Sequence, residues 1–250
     1  MIKKTIAVFF LTAFFFSCHN ANSLAKQGLK NLEQGKKITA LKFFEQALDA
    51  NKKNPIALYG KGKIMMESNL TISLGQRMVE SALPNLDKKY KTDAILSLGR
   101  SYAATNVYDQ AIKVLAGSIE TGNHAPEIYI DLSFYYLQIL EKNQARNILV
   151  KGLSANPKST ALLSAMANLD IKYFHNYYAA IKSLENAIQI DKTDITNVRK
   201  IAELFYKTGR TDKSVEYLKI LKDMQTDNNE KLNTEKIILQ AQTGQWQIAN

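Results

Sequence analysis

TDAILSLGRSYAATNVYDQAIKVLAGS, the stretch from Thr92 to Ser118, places small residues at Gly99, Ala111 and Ser118 among large apolar ones at Ile95 and Leu115. Counted from Thr92, the small residues occupy positions 8, 20 and 27, and the large ones positions 4 and 24. The same columns return about every 34 residues when counting starts at Ala21, Pro55, Pro126, Thr160 and Ile195. Position 8 then reads Gly28, Gly62, Gly99, Ser133, Ala167 and Ala202. With one extra residue allowed in the second and fifth units, position 20 reads Ala40, Gly75, Ala111, Ala145, Ala180 and Ser214. On that count position 27 departs from smallness only at Leu221.

Small columns flanked by large ones at helical spacing are the mark of crossing helices. A small side chain lets two backbones approach while its large neighbours interlock as ridges in grooves. Each unit therefore predicts a pair of helices. Pro55 and Pro126 stand at first helical positions, where a missing amide hydrogen is harmless. Gly35 and Gly209 fall between the two helices of a pair, and Pro84 and Pro157 at the ends of second helices.

A helical hairpin of this length with these columns resembles the tetratricopeptide repeat family over residues 21–228. The resemblance implies an all-α fold, a right-handed superhelical solenoid of helix-turn-helix repeats. Its units are 21–54, 55–91, 92–125, 126–159, 160–194 and 195–228. Residues 229–250 read as a partial seventh unit, with Gly244, Trp246 and Ala249 at the matching spacing and a first helix over 230–243. That helix is either a cap on the stack or the start of a unit cut short. Gln27, Asn31 and Lys61 put polar groups in otherwise apolar columns and mark the first unit as a solvent-facing end. Asp170 stands in the column of Tyr102, Tyr136 and Phe205, where an unpaired buried carboxylate is costly. A local shift bringing Leu169 inward is the expectation there.

The first seventeen residues are a signal peptide by pattern, with Lys3 and Lys4 before an apolar run from Ile6 to Phe16. As a helix that run would span only about 16 Å, half of a bilayer core. Phe15-Phe16-Ser17-Cys18 resembles a bacterial lipobox, which implies lipid on Cys18, the one cysteine of the chain, with residues 18–20 as a short linker. The alternative is ordinary signal cleavage near Ala21 or Ser23, leaving a soluble secreted or periplasmic protein. Without Lys3 and Lys4 the charge is 31 basic against 23 acidic residues, a net of +8 spread along the helices. Scattered lysines read as solvated faces, with an acidic protein or an anionic membrane surface as the natural partner if the charge is used.

No GxSxG, HExxH, GxxxxGK[ST] or GxGxxG motif is present, and the only histidines, His19, His124 and His175, lie more than 50 residues apart. Gly60-Lys61-Gly62-Lys63 falls inside an expected helix, which is the wrong context for a phosphate loop. The reading is therefore of a protein without catalytic site, cofactor or metal, binding neither nucleic acid nor a small-molecule substrate.

In the family that the chain resembles, first helices line a concave groove through positions 2, 5, 9 and 12. Carried over, this implies a partner-binding groove of Tyr59, Lys63, Met66, Arg100, Ile130, Phe134, Leu137, Asn168, Lys172, Arg199, Glu203 and Tyr206. Phe134 is surplus to the core columns filled by Tyr129, Leu132 and Tyr136. It either binds a partner or packs on the next repeat. The aromatic run from Tyr173 to Tyr178 is a second contact patch or a staple for its own turn. No unit carries the Lys and Asn pair with which the chaperone-binding subclass of the family clamps a terminal carboxylate. The expectation is a scaffold or assembly factor that holds an acidic or apolar protein segment. It would be anchored by lipid to the outer membrane and face the periplasm. In plan it resembles pilotins.

Overall fold

The computed structural model describes residues 20–248 and is built of α-helices, with no strand among the described residues. Signal peptide, Cys18 and Ala249 lie outside the described residues. Tertiary contacts divide the chain into two compact units, Met1–Asp131 and Leu132–Asn250. In the first, α1 (20–33) and α2 (Lys37–Ala50) are followed by α3 (Pro55–Met65), α4 (Ile72–Ala82), α5 (Lys88–Ala104) and α6 (Tyr108–Glu120). The division falls inside α7 (Pro126–Gln138). The second unit continues with α8 (Lys142–Ala155), α9 (Thr160–Leu169), α10 (Tyr177–Ile190), α11 (Ile195–Lys207), α12 (Thr211–Met224) and α13 (Asn228–Gln242). No helix among the described residues is long and apolar enough to cross a membrane.

The small columns are points of close approach. A Cβ on Gly62 of α3 would stand 2.8 Å from the Gly75 carbonyl oxygen of α4, and one on Gly75 would stand 2.6 Å from that of Gly62. Phe44 of α2 is fully buried between α1 and α3, where Gly28 and Gly60 leave room for its ring. Burying such a ring contributes about 2–3 kcal/mol. Gly60 was not accounted for by the repeat columns, and the ring explains it.

Polar clamps hold the starts of successive first helices together. Asn54 caps α3 by accepting from the Ala57 amide at 2.9 Å, and its Nδ2 donates to Asn22 of α1 at 2.7 Å. In the second unit buried Asn197 of α11 donates to Ser164 of α9 at 2.7 Å. At the other end of the helices, Lys37 reaches Glu67 at 2.5 Å, so α1 and α3 run parallel from start to turn.

Most turns within a pair are closed in one way. Gly35, Asn106, Leu140, His175 and Gly209 all have left-handed backbones, and Gly244 repeats this after α13. The following amide then bonds back five residues, as from Lys36 to Asn31, Val107 to Tyr102 and Arg210 to Phe205. The second pair instead uses a longer loop after α3 to absorb its extra residue. In the fifth pair the extra residue becomes a π-turn, Asp170–Phe174, and the closing bond spans six residues, from Asn176 to Asp170.

Three expectations need correction. Asp170 is not relieved by Leu169 turning inward, because the π-turn buries both, leaving 1% and 3% of their surfaces exposed. Burial pushes the Asp170 carboxyl pKa up, and the Arg146 guanidinium at 3.2 Å opposes the shift. Tyr135 rather than Tyr136 fills the core position on α7. The third first helix, α5, begins at Lys88, one turn before the unit boundary at Thr92, because the short 3₁₀ turn Leu83–Asn85 uses up the rest of the junction.

Gly62→Ala should cost about 2 kcal/mol, since its methyl meets backbone that cannot step aside. Gly117→Ala, in a helical position with nothing within 4 Å, should instead stabilise by about 0.5–1 kcal/mol. Thermal melts of the two variants that moved in the same direction would contradict the crossing. Leu140 is 89% exposed at a φ of 65°. Leu140→Gly should therefore raise the melting temperature, relieving left-handed strain of about 1 kcal/mol. A lower melting temperature would show that the leucine side chain itself supports the turn.

Candidate functional site

In the first unit the first helices α1, α3 and α5 enclose a cleft of about 470 Å³. Leu29, Leu32 and Glu33 come from α1, Tyr59 and Lys63 from α3, and Lys89, Tyr90 and Asp93 from α5, with Lys37 and Glu67 at the turns. The leucines and the two tyrosine rings, whose centroids are 6.2 Å apart, make an apolar floor. Three lysines and three carboxylates surround it.

The helical register assembles this cleft. Tyr59 and Asp93 are 34 residues apart, so the fifth position of one unit meets the second position of the next. The Tyr59 hydroxyl donates to the Asp93 carboxylate, and Lys63 pairs with the same oxygen at 2.6 Å. Burial and the adjoining carboxylate hold the tyrosine protonated well beyond its usual range. For Asp93 burial alone would raise the pKa, but hydrogen bonds from Lys63 and Tyr59 outweigh it and hold the carboxyl below its ordinary value. The Lys63–Asp93 and Lys37–Glu67 pairs are both partly exposed, and such pairs contribute about 1 kcal/mol or less. A ligand can trade them for its own charges at little cost.

The residues expected to line a groove are thus placed differently from one another. Tyr59 is buried and presents its ring and hydroxyl, while Lys63 stands beside it. Met66 packs against the core beneath. Arg100 faces Asp131 at 2.7 Å, and Ile130 is half-buried. In the second unit Phe134 is 52% exposed, edge-on to Tyr135, and Leu137 is half-buried. Asn168 accepts from Lys200 at 2.9 Å, and Lys172 lies over the Tyr173 ring. Arg199 is exposed, beside Glu203, whose pKa burial raises against the pull of Arg199 and its neighbours. Tyr206 is covered: the Trp246 ring lies 5.0 Å away and its amide donates to the Tyr206 hydroxyl.

Leu29, Leu32, Glu33, Tyr90 and Asp93 were not singled out in the sequence. Leu29 and Leu32 occupy groove positions 9 and 12 of the first repeat, which its polar residues mark as a solvent-facing end, and Asp93 occupies groove position 2 of the third. Among the described residues no group of three or more His, Cys, Asp or Glu is placed to hold a metal ion.

No protein-family model matches the sequence. A stretch of 118 residues, 47% of the chain, is 25% identical to the TPR repeat-containing protein YpiA of Bacillus subtilis, and the match spans only 27% of that protein. The structure is similar to PilF of Pseudomonas aeruginosa, with a TM-score of 0.63 and 17% identity over 88% of this chain and 98% of that one. A tetratricopeptide repeat protein of Parabacteroides merdae gives 0.60 and 16% over 90% and 88% of the two chains. YrrB, a TPR protein with an unusual peptide-binding site, gives 0.52 and 16% over 77% and 97%. These likenesses identify the fold as a tetratricopeptide-repeat solenoid.

The lowered Asp93 pKa fixes the sign of a pH effect. The carboxylate stabilises the fold fully above the ordinary aspartate value of about 4, and that stability is lost as pH falls through the lower folded value. Chemical denaturation should find the chain more stable than its Asp93→Asn variant at pH 7, with the gap closing below about pH 4. A gap independent of pH would remove the ionised carboxylate from the account.

Proposed function

We propose that this chain is a non-catalytic scaffold or assembly factor of the bacterial cell envelope, held at the outer membrane, facing the periplasm, by lipid on Cys18 and binding a protein segment in the cleft of its first unit. Tetratricopeptide repeats generally mediate protein–protein interaction, and the observation that carries the reading here is the cleft itself. It joins an apolar floor to charges of both signs, paired so weakly that an incoming chain can replace the partners. That chemistry suits an apolar side chain flanked by charges. A purely acidic segment is less well served, because Lys63 and Arg100 each already face a carboxylate. The peptide-binding site named for YrrB supports capture of a peptide segment. The envelope placement is supported by the apolar run from Ile6 to Phe16 and by the chain's one cysteine just after it.

Affinity capture from envelope extracts tests the cleft. Leu32→Arg and Lys89→Glu should each weaken recovery of the partner about tenfold or more, with helicity unchanged, whereas Lys113→Glu on the exposed face of α6 should not. Phe134→Ala reads whether the exposed aromatic of the second unit adds a contact. Cleft variants that keep a partner lost by Lys113→Glu would overturn the site. Mass spectrometry of the mature N-terminus tests the tether separately: a free amino group at Asn22 or Leu24 without acyl mass would remove it and leave the cleft standing.

A further inference from the structure

We propose that the edge of the first unit where α1, α3 and α5 begin is a docking surface for anionic lipid headgroups. The geometry of this inference rests on the lipid tether at Cys18. Asn54 at the start of α3 is hydrogen-bonded to Asn22 of α1, and Tyr90 in the first turn of α5 lies against Tyr59 in the second turn of α3. The three starts therefore share one edge. On it stand Lys52 and Lys53 in the junction before α3 and Lys88, Lys89 and Lys91 in the first turn of α5. Asp49 in the last turn of α2 and Asp87 at the N-cap of α5 are the carboxylates beside them, so positive charge dominates.

Of these lysine side chains the fold engages, among the described residues, only that of Lys89, whose ammonium lies 5.3 Å over the Tyr90 ring. No ion pair among the described residues engages Lys52, Lys53, Lys88 or Lys91, and four of the five side chains are exposed, Lys91 being half-buried. Three of them sit at the positive end of the α5 dipole, where local preference favours acids, and the first turn of α5 holds none beyond Asp87 at its N-cap. The cost is local, and an anionic surface would offset it.

Distance selects the partner. Cys18 precedes Asn20 by two residues, a reach of at most about 7 Å. The field of a charged membrane decays over about 8–10 Å at physiological salt, so a tethered chain that lays this edge flat on the surface brings it within that field. The turns at the far ends of the helices lie about 20 Å away along α1 and feel little. Each lysine near an anionic surface multiplies partitioning about fivefold.

The test uses the full chain as isolated, carrying a single added thiol, either Lys53→Cys on the edge or Val107→Cys at a far turn, each labelled with a fluorophore. Vesicles contain a headgroup quencher and either 30% phosphatidylglycerol in phosphatidylethanolamine or phosphatidylcholine alone. The expected result is quenching at position 53 several-fold stronger than at position 107 on the anionic vesicles only. It should be abolished by 0.5 M salt or by Lys52→Gln with Lys88→Gln, Lys89→Gln and Lys91→Gln, with the melting temperature unchanged. Equal quenching at both positions, or quenching indifferent to lipid charge, overturns the proposal. If the isolated chain carries no acyl mass, the tether fails, and cosedimentation decides the edge alone. Salt-sensitive binding to the anionic vesicles with position 53 quenched supports it, and absence of binding refutes it.

Discussion

Backbone meeting backbone at Gly62 and Gly75 is the constraint on which the first unit depends. With no side chain between them, α3 and α4 close to a separation at which their large residues interlock, and the flank of α3 that carries Tyr59 and Lys63 is turned toward α5. Phe44 applies the same logic on the other side, as its ring fills the space that Gly28 and Gly60 vacate. Two pairs of glycines thus set how closely α1, α3 and α4 pack, and the cleft lies on the flank of α3 that this packing leaves toward α5. A cleft made in this way is as rigid as the packing behind it.

Helices and pairing were legible because crossing geometry acts on residue size, and size is written in the sequence. The columns at Gly28, Gly62, Ala167 and Ala202 became buried contact positions. The turns were half legible. Gly35 and Gly209 announced their left-handed backbones, but Asn106, Leu140 and His175 adopt the same conformation without glycine's freedom. There the repeat geometry imposes the turn and the residue accepts the strain. Asp170 escaped for a related reason: the extra residue in its unit was visible as a gap in spacing, yet whether it would be absorbed as a loop, as after α3, or as a π-turn depends on what packs beneath. The cleft was partly legible, with Tyr59 and Lys63 found and Asp93 missed, because pairing between units depends on two columns at once.

Polar groups divide into those that hold the fold and those that are available. Asn54 and Asn197 are fully or almost fully buried, and each bridges two first helices of its own unit. Removing Asn54 would leave the Ala57 amide without its acceptor, and removing Asn197 would leave the Ser164 hydroxyl without its donor, each at a cost of about 1–3 kcal/mol. The lysine pairs of the cleft are exposed to water and cost little to separate. Specific capture is therefore better built on the apolar floor, with the surrounding charges setting orientation and register.

Lys89 belongs to both surfaces. It lines the cleft and stands in the row of lysines at the start of α5. A segment in the cleft that places a carboxylate on Lys89 withdraws one charge from the edge, while a segment that places a cation near Asp93 releases Lys63 and adds positive charge to the same face. Binding free energies are linked reciprocally, so whatever the occupied cleft does to lipid affinity, the lipid surface does to the affinity of the cleft. The size of that coupling is bounded by one charge near an anionic surface, about 1 kcal/mol, or roughly fivefold in either equilibrium. If the cleft and the edge act as proposed, an acidic segment and an anionic membrane compete for this end of the molecule, whereas an apolar segment held by Leu29, Leu32 and the two tyrosine rings leaves the edge intact.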